Sequence, residues 1–328
     1  MSNVAICALM KYEAPYIVEW VAYYDLLGFK MIVADNGGND DTSRLLSALD
    51  AAGIIDRVDF RWCTRKPQIP AYRALARAAK QLDYDVIGFL DTDEFFTSDF
   101  PITRITPDIG AKYIAGLFEN PDVNQFTFHW TCYGSQTVST DSTRPVLERF
   151  EHHADGDNPW NLWPKSFVRT NKLLRTRDLL GIGPNIDSVH FFPVKKGWYI
   201  DDLPAKTYWK KPTVRYKRGR VLHYQNKTWE EFQRKVVRGD ATTDLAVNKN
   251  NRDYFDKHDY NADRTRIDPS AIATLVARMA VIEDKITPHM DAGESARFTA
   301  AQSRRMARGI SGQYTRKAMI ALRGWVKK

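Results

Sequence analysis

The first hundred residues predict an α/β fold in which a mostly parallel sheet carries helices on both faces. Three observations lead there. Short apolar runs alternate with segments of helical spacing, the runs are apolar throughout, and their ends turn abruptly polar. A strand that is apolar on both sides is buried on both sides, as in parallel sheets covered by helices. In such sheets ligands bind beyond the carboxyl ends of the strands.

Residues 4–9 form the first run, and 13–27 have helical spacing through Tyr16, Trp20, Tyr23, Tyr24 and Leu27, closed by Gly28. A second strand is expected at 31–34, and Asp40, Asp41 and Thr42 cap a helix reaching residue 51. A third strand is read at 58–62, an Ala-rich helix at 70–82, and a fourth apolar run at 86–90 that ends in acids. The alternation at 125–133 suggests another strand, with polar loops up to Pro145 and again at 152–164. Mixed strands and turns are expected over 165–225, a short helix at 229–237, and mainly helix over 268–328.

Composition narrows the class of protein. With 43% apolar and 27% charged residues the chain is globular, neither fibrous nor disordered. Its formal charge of +8 is unevenly placed, because nine basic residues and no acid lie in 295–328, leaving the first 294 residues at −1. The high isoelectric point therefore does not imply a nucleic-acid-binding surface, and no nucleic acid partner is expected. Cys7, Cys63 and Cys132 are odd in number and form no CxxC, which argues against a disulfide framework and for a reducing, cytoplasmic setting. The apolar run at 4–10 is too short to span a bilayer and lacks the basic flank of a signal peptide.

Asp91-Thr92-Asp93 carries the strongest chemical signal. Two carboxylates two residues apart, just after a buried strand, can project from a turn toward one divalent cation, and oxygen ligands suit Mg²⁺ or Mn²⁺ bound to phosphates. A solvated acidic turn would fit the same string, but its place after the fourth strand of an alternating array favours a site. A dehalogenase-type phosphatase would place such a string after the first strand and would not have Phe95 next to it.

Further signals share this order. Lys11-Tyr12-Glu13, Tyr16 to Trp20, Leu27-Gly28-Phe29, Asp35-Asn36, Asp40-Asp41-Thr42 and Asp91-Thr92-Asp93-Glu94-Phe95 follow one another. His223-Tyr224, Lys227-Thr228, Glu231-Phe232, Lys235 and Arg238-Gly239 come later. Over about residues 3–260 this series resembles the glycosyltransferase family 2/family 92 group, departing at Tyr12 and Tyr24, where the group usually carries Asn and His. The resemblance implies a GT-A fold, Rossmann-like, over 1–265. Residues 1–100 would be its nucleotide-sugar half and 101–265 its acceptor half, with a helical basic extension at 266–328.

It also implies a metal-dependent transfer of sugar from a nucleoside diphosphate donor, a UDP-sugar first, to a hydroxyl of a glycan or lipid-linked acceptor, with inversion. Asp91 and Asp93 would lie beside the donor diphosphate and a Mn²⁺ or Mg²⁺ ion, with His223 completing the metal site. Lys11, Glu13, Asp35 and Asn36 would hold the base and ribose edge. Gln68 and Arg73 could face the diphosphate, although surface positions explain them nearly as well. Lys235 and Arg238, spaced i, i+3 on one helix face beside Lys227, suit a phosphate site or a solvated basic face. The general base is expected among Glu148, Asp187, Asp201 and Asp202, with Glu148 and Asp187 first.

The other polar and aromatic signals stay open. His152-His153 with Asp155 and Asp157 reads as a loop before a metal site. His190 faces an acceptor or packs in a core, and Trp160, Trp163, Trp198 and Trp209 offer sugar-stacking faces or fill core and rim. A nucleotidyltransferase on a similar sheet would normally carry a Gly-rich phosphate loop near the first strand, and residues 7–16 contain no glycine. A non-enzymatic docking module is supported by the tail alone.

On a helical wheel of residues 310–328, Tyr314, Ala318, Met319, Ala321, Leu322 and Trp325 share one broad side, with Arg316, Arg323 and Lys327 opposite. Such a helix either lies on an anionic membrane at the inner face or packs its apolar side on the body. At the membrane each basic residue contributes ~1 kcal/mol. The membrane reading expects the full-length protein to cosediment with anionic vesicles at low salt, to be released at high salt, and to lose binding when 310–328 is deleted. No binding, or binding unchanged by the deletion, leaves the packed helix as the surviving account.

Overall fold

The computed structural model describes residues 2–174, 196–239, 251–291, 293 and 295–307. The expected tail helix at 310–328, Asp187 and His190 lie outside the described residues.

Four strands, β1 (Val4–Met10), β2 (Lys30–Asp35), β3 (Asp56–Asp59) and β4 (Val86–Phe89), form a parallel block in the order β3-β2-β1-β4. Three helices connect them: α1 (Ala14–Leu26), α2 (Thr42–Ala51) and α3 (Gln68–Gln81). The apolar runs are continuous because both faces of β1 are covered. Ile6, Ala8 and Met10 join the core under α1 and α2, whereas Ala5 and Cys7 join a second core under α3. Gly28 ends α1 with φ +80°, and a Cβ there would come within 2.7 Å of the Asp108 backbone, so a larger residue is excluded on two grounds.

The third strand lies earlier than the reading at 58–62. It stops at Asp59 because the Cys63 N–H closes a turn on the Phe60 carbonyl at 3.1 Å, and its inner position is taken by a charged residue, Arg57.

Beyond β4 the sheet becomes mixed. β5 (Glu94–Thr97) follows the acidic turn; then come α4 (Ile109–Leu117), β6 (Gln125–Cys132), α5 (Val146–Arg149), β7 (His152–His153) and β8 (Pro164–Arg169). β8 runs antiparallel between β4 and β6 and so joins the two halves. α6 (Thr170–Leu174), β9 (Trp198–Ile200), β10 (Leu203–Pro204) and α7 (Ala205–Tyr208) precede β11 (Arg220–His223), which pairs parallel with β6 and antiparallel with β5. After it come α8 (Trp229–Arg238), α9 (Arg252–Lys257) and β12 (Asp263–Arg264), the last paired with β7.

The C-terminal residues pack back onto the body. α10 (Pro269–Ile286) lies against α1, with Arg278 bonded to Asp25 at 2.5 Å, and α11 (Ala300–Ala307) lies against α3. Between them Phe298 bridges Val58 in parallel, exchanging backbone hydrogen bonds with Arg57 and Asp59 and covering the edge of β3. Among the described residues no helix is long and apolar enough to cross a membrane.

At that edge Arg57 is 1% exposed and donates from Nε to Asp35 at 2.9 Å, while its Nη1 reaches the Ser295 carbonyl. Removing one member of a buried ion pair leaves the other charge uncompensated. Arg57→Ala is therefore expected to lower stability by about 3–5 kcal/mol, read as the urea midpoint, with partial recovery in Arg57→Ala/Asp35→Asn. An unchanged midpoint would show that the pair is not structural.

Candidate functional site

The site is built on the turn Asp91-Thr92-Asp93-Glu94 between β4 and β5. The aromatic face of α1 holds this turn by its backbone. Trp20 Nε1 donates to the Asp91 carbonyl at 2.9 Å, Tyr24 OH to the Glu94 carbonyl at 2.8 Å, and Tyr23 OH to the Phe96 carbonyl at 2.8 Å. Tyr24, which departs from the family pattern, is thus fully occupied inside the core.

Asp93 is the centre. Lys235 Nζ lies 2.5 Å from its Oδ2 and also donates to the Gln225 carbonyl at 2.5 Å. Lys227 Nζ stands 4.0 Å from the same oxygen, and His223 Nε2 lies 3.9 Å from Oδ1. Burial works against the Asp93 carboxylate, but Lys235, Lys227 and His223 overcome it and hold the group far below the usual range. Burial, with Lys235, Lys165 and Lys227 close by, brings the His223 imidazole down to about 3 despite Asp93, so it is neutral and can donate a lone pair. Burial and Lys235 bring Lys227 down to about 8.

Asp91 faces a different partner. Its Oδ2 accepts from Lys165 Nζ at 2.8 Å, and the same ammonium is 2.9 Å from Glu94 Oε2. Burial raises Glu94, to about 8, with Asp91 and Asp93 adding to the rise and Lys165 opposing it; Lys165 itself is held protonated by the two carboxylates. Lys165 was not singled out by the sequence, where it is one lysine in a Trp-Pro-Lys-Ser stretch.

α8 delivers the cations. Thr228 and Glu231 form a reciprocal cap at its start, and Glu231 also receives a two-pronged bond from Arg149 (3.1 and 2.7 Å) and one from Tyr16 OH at 3.0 Å. Lys235 and Arg238 leave the last turn of this helix, and Arg238 pairs with Glu13. Between α8 and the start of α1 lies a narrow cleft lined by Tyr12, Glu13, Tyr16, Lys227, Lys235 and Arg238.

The structure therefore brings Asp91, Asp93, His223, Lys227 and Lys235 to one place and sets Glu13 and Arg238 beside it. Asp35 and Asn36 sit at the end of β2 but are engaged internally. Asp35 takes bonds from Arg57, Ser43 and the Gly37 N–H, and Asn36 donates to the Phe60 and Cys63 carbonyls. Lys11 is half-buried with Nζ 5.6 Å from the Tyr12 ring. Gln68 opens α3 and keeps a buried Oε1 that has no hydrogen-bond partner among the described residues, one turn from Tyr72. Glu148 lies on α5, ion-paired with Arg144 and next to Arg149. Asp201 accepts the Lys217 and Arg218 N–H groups, and Asp202 pairs with Arg215, so both are committed elsewhere.

The donor set suits a divalent cation held by two protein groups, Asp93 and neutral His223, with the remaining positions left for substrate oxygens. Among the described residues no three His, Cys, Asp or Glu side chains converge on one ion position.

The profile of Glycosyltransferase family 92 matches residues 2–259. A glycosyltransferase family 92 protein of Arabidopsis thaliana is 23% identical over 244 residues, covering 73% of this chain and 38% of its own length. One of Ricinus communis is 24% identical over 249 residues, covering 72% and 37%. The chain thus spans less than two fifths of the length of these curated relatives. The crystal structure of S. aureus TarS aligns at 11% identity and a TM-score of 0.34, over 94% of this chain and 53% of that one.

The Glu231–Arg149 pair generates a pH prediction. Burial would raise Glu231, but Arg149, Lys227 and Tyr16 bring it down from 4.5 to about 2. A carboxyl with a depressed folded pKa stabilises above its unfolded value and ceases to do so as pH falls through the folded one. The pair should act fully above pH 4.5 and be lost by about pH 2. Arg149→Met should cost about 3–5 kcal/mol at neutral pH and flatten the fall in melting temperature across that window. Parallel parent and variant curves would refute it.

Proposed function

The chain belongs to glycosyltransferase family 92, and from that premise we propose that it transfers a sugar from a nucleoside diphosphate donor, a UDP-sugar first, to a hydroxyl of a glycan or lipid-linked acceptor, with inversion. The observation that carries this reading is Asp93 at a strand end, flanked by neutral His223 and by Lys227 and Lys235. Such a group binds an anion and a cation together, which is the chemistry of a diphosphate with its metal. Asp93 and His223 would hold Mn²⁺ or Mg²⁺, which when bound neutralises charge on the diphosphate.

This chain's own residues do the rest. Lys227 and Lys235 stabilise the negative charge that grows on the leaving diphosphate as the anomeric bond breaks. Lys235 must give up its contact with Asp93 to do so, and its flexible stem allows that. Arg238 and Glu13 close the cleft next to the donor, and the unpartnered Gln68 Oε1 is a further acceptor for donor hydroxyls. On the acceptor side a carboxylate takes the hydroxyl proton. Glu148, and Asp187 outside the described residues, are the proposed bases, and Arg144 must release Glu148 first.

The test is a thermal-shift screen with UDP-, GDP- and dTDP-sugars plus Mn²⁺. A donor at a hundred times its Kd stabilises the protein by about 2.7 kcal/mol. Asp93→Asn should melt below the parent temperature without ligand, because Lys235 and Lys227 lose their counter-charge, and should lose the metal-dependent shift and turnover. Full turnover in Asp93→Asn, no shift with any of the nucleotides, or release of pyrophosphate instead of a nucleoside diphosphate would overturn the reading.

A further inference from the structure

Lys165 is 1% exposed and lies far from any acidic or basic run in the sequence. β8 pairs with β4 as Val86↔Arg169, Ile87↔Val168 and Gly88↔Phe167. Continued by two residues, that register sets Lys165 level with Leu90, just before Asp91. β8 also pairs with β6, so Lys165 stands on the strand that ties the parallel half to the acceptor half.

At that point three carboxylates, Asp91, Asp93 and Glu94, leave one turn. The Glu94 side chain is 0% exposed, whereas that of Asp91 is 37% exposed. Lys165 touches both, and it is the contact with the exposed one that matters for a ligand. Asp91 is held at three points. Its carbonyl accepts from Trp20, its N–H donates to Glu94 at 2.9 Å, and its Oδ2 accepts from Lys165. Oδ1 is left as the oxygen that can meet a donor.

We propose that Lys165 is a positioning residue for nucleotide binding: it fixes the carboxylate of Asp91 in its donor-facing rotamer and cancels one negative charge of the turn, so that an anionic nucleoside diphosphate can approach. This rests on the donor-site reading of the Asp91–Asp93 turn. Two physical effects act together. A side chain already fixed loses no rotamer freedom when the ligand arrives. An acidic turn without its buried ammonium would repel a diphosphate at short range, where screening by salt is weak.

A purely structural lysine would only satisfy the buried Glu94. The experiment separates the two by removing that need. In Lys165→Met alone, the buried Glu94 side chain loses its polar partner and the protein can fail to fold; in Lys165→Met/Glu94→Gln, that acid is replaced by a neutral side chain while Asp91 is left unpinned. Binding of UDP with Mn²⁺ is titrated, or of GDP or dTDP if the parent prefers one of them, alongside melting curves. The double variant should melt near the parent yet bind about tenfold more weakly. Adding Asp91→Asn to it should cost less than about twofold further, because the two residues act as one unit. Lys165→Arg, which keeps the charge, should stay within about threefold of the parent.

Parent-like affinity in Lys165→Met/Glu94→Gln, or full additivity with Asp91→Asn, would overturn the inference and leave Lys165 as the partner of Glu94. Parent-like affinity in Asp91→Asn alone would instead overturn the donor-site reading of Asp91. A parent that binds none of the three nucleotides would overturn both.

Discussion

Burying carboxylates at the end of a strand is costly unless each meets a counter-charge, and the turn after β4 buries two and half-buries a third. The cations that meet them come from three separate places: Lys165 from β8, Lys227 from the loop after β11, and Lys235 from α8. None can reach the turn unless its own element is in place, so pairing these charges requires β8, the loop after β11 and α8 to be assembled around the end of β4. Asp93 and Glu94, adjacent in sequence, respond in opposite directions. Asp93 meets two lysines and an imidazole and stays ionised, whereas burial and neighbouring acids dominate at Glu94 and raise it. The outer carboxylate is thereby kept charged for chemistry, and the inner one serves as a brace.

Neutral contacts support the charged ones. The rings of α1 reach through the core with their polar ends on the backbone of the same turn and of β5 after it, which fixes the turn without adding charge. Glu19, also on α1, accepts the Val146 and Leu147 N–H groups and so caps α5, whose Arg149 grips Glu231 at the start of α8. A chain of contacts thus runs from the first helix, through α5, to the helix that carries Lys235 and Arg238.

The C-terminal segment belongs to this body physically. Phe298 adds a bridge to β3, α10 lies on α1, and Ser303 receives Trp62 Nε1 at 2.8 Å. The end of β2 is steadied from the same side. Asp35, buried at the end of β2, is held by Arg57, which is in turn held by Ser295. The parallel block is therefore braced by residues more than two hundred positions away.

The parallel block, the acidic turn and the α8 cations were legible in the sequence because each depends on local pattern. Continuous apolar runs mark strands buried on both faces, and i, i+3 spacing puts Lys235 and Arg238 on one side. The reading at 58–62 missed by a few residues because Arg57 sits where the pattern asks for an apolar side chain. Its burial becomes acceptable only through Asp35, 22 positions earlier. The antiparallel course of β8, the role of Lys165 and the internal engagement of Asp35 and Asn36 were decided by tertiary structure alone. A buried charge can be read only together with its partner, and those partners lie 74 positions apart for Lys165–Asp91, 82 for Arg149–Glu231 and 142 for Lys235–Asp93. Local spacing contains no term for such distances, whereas the folded chain brings each pair within hydrogen-bonding reach.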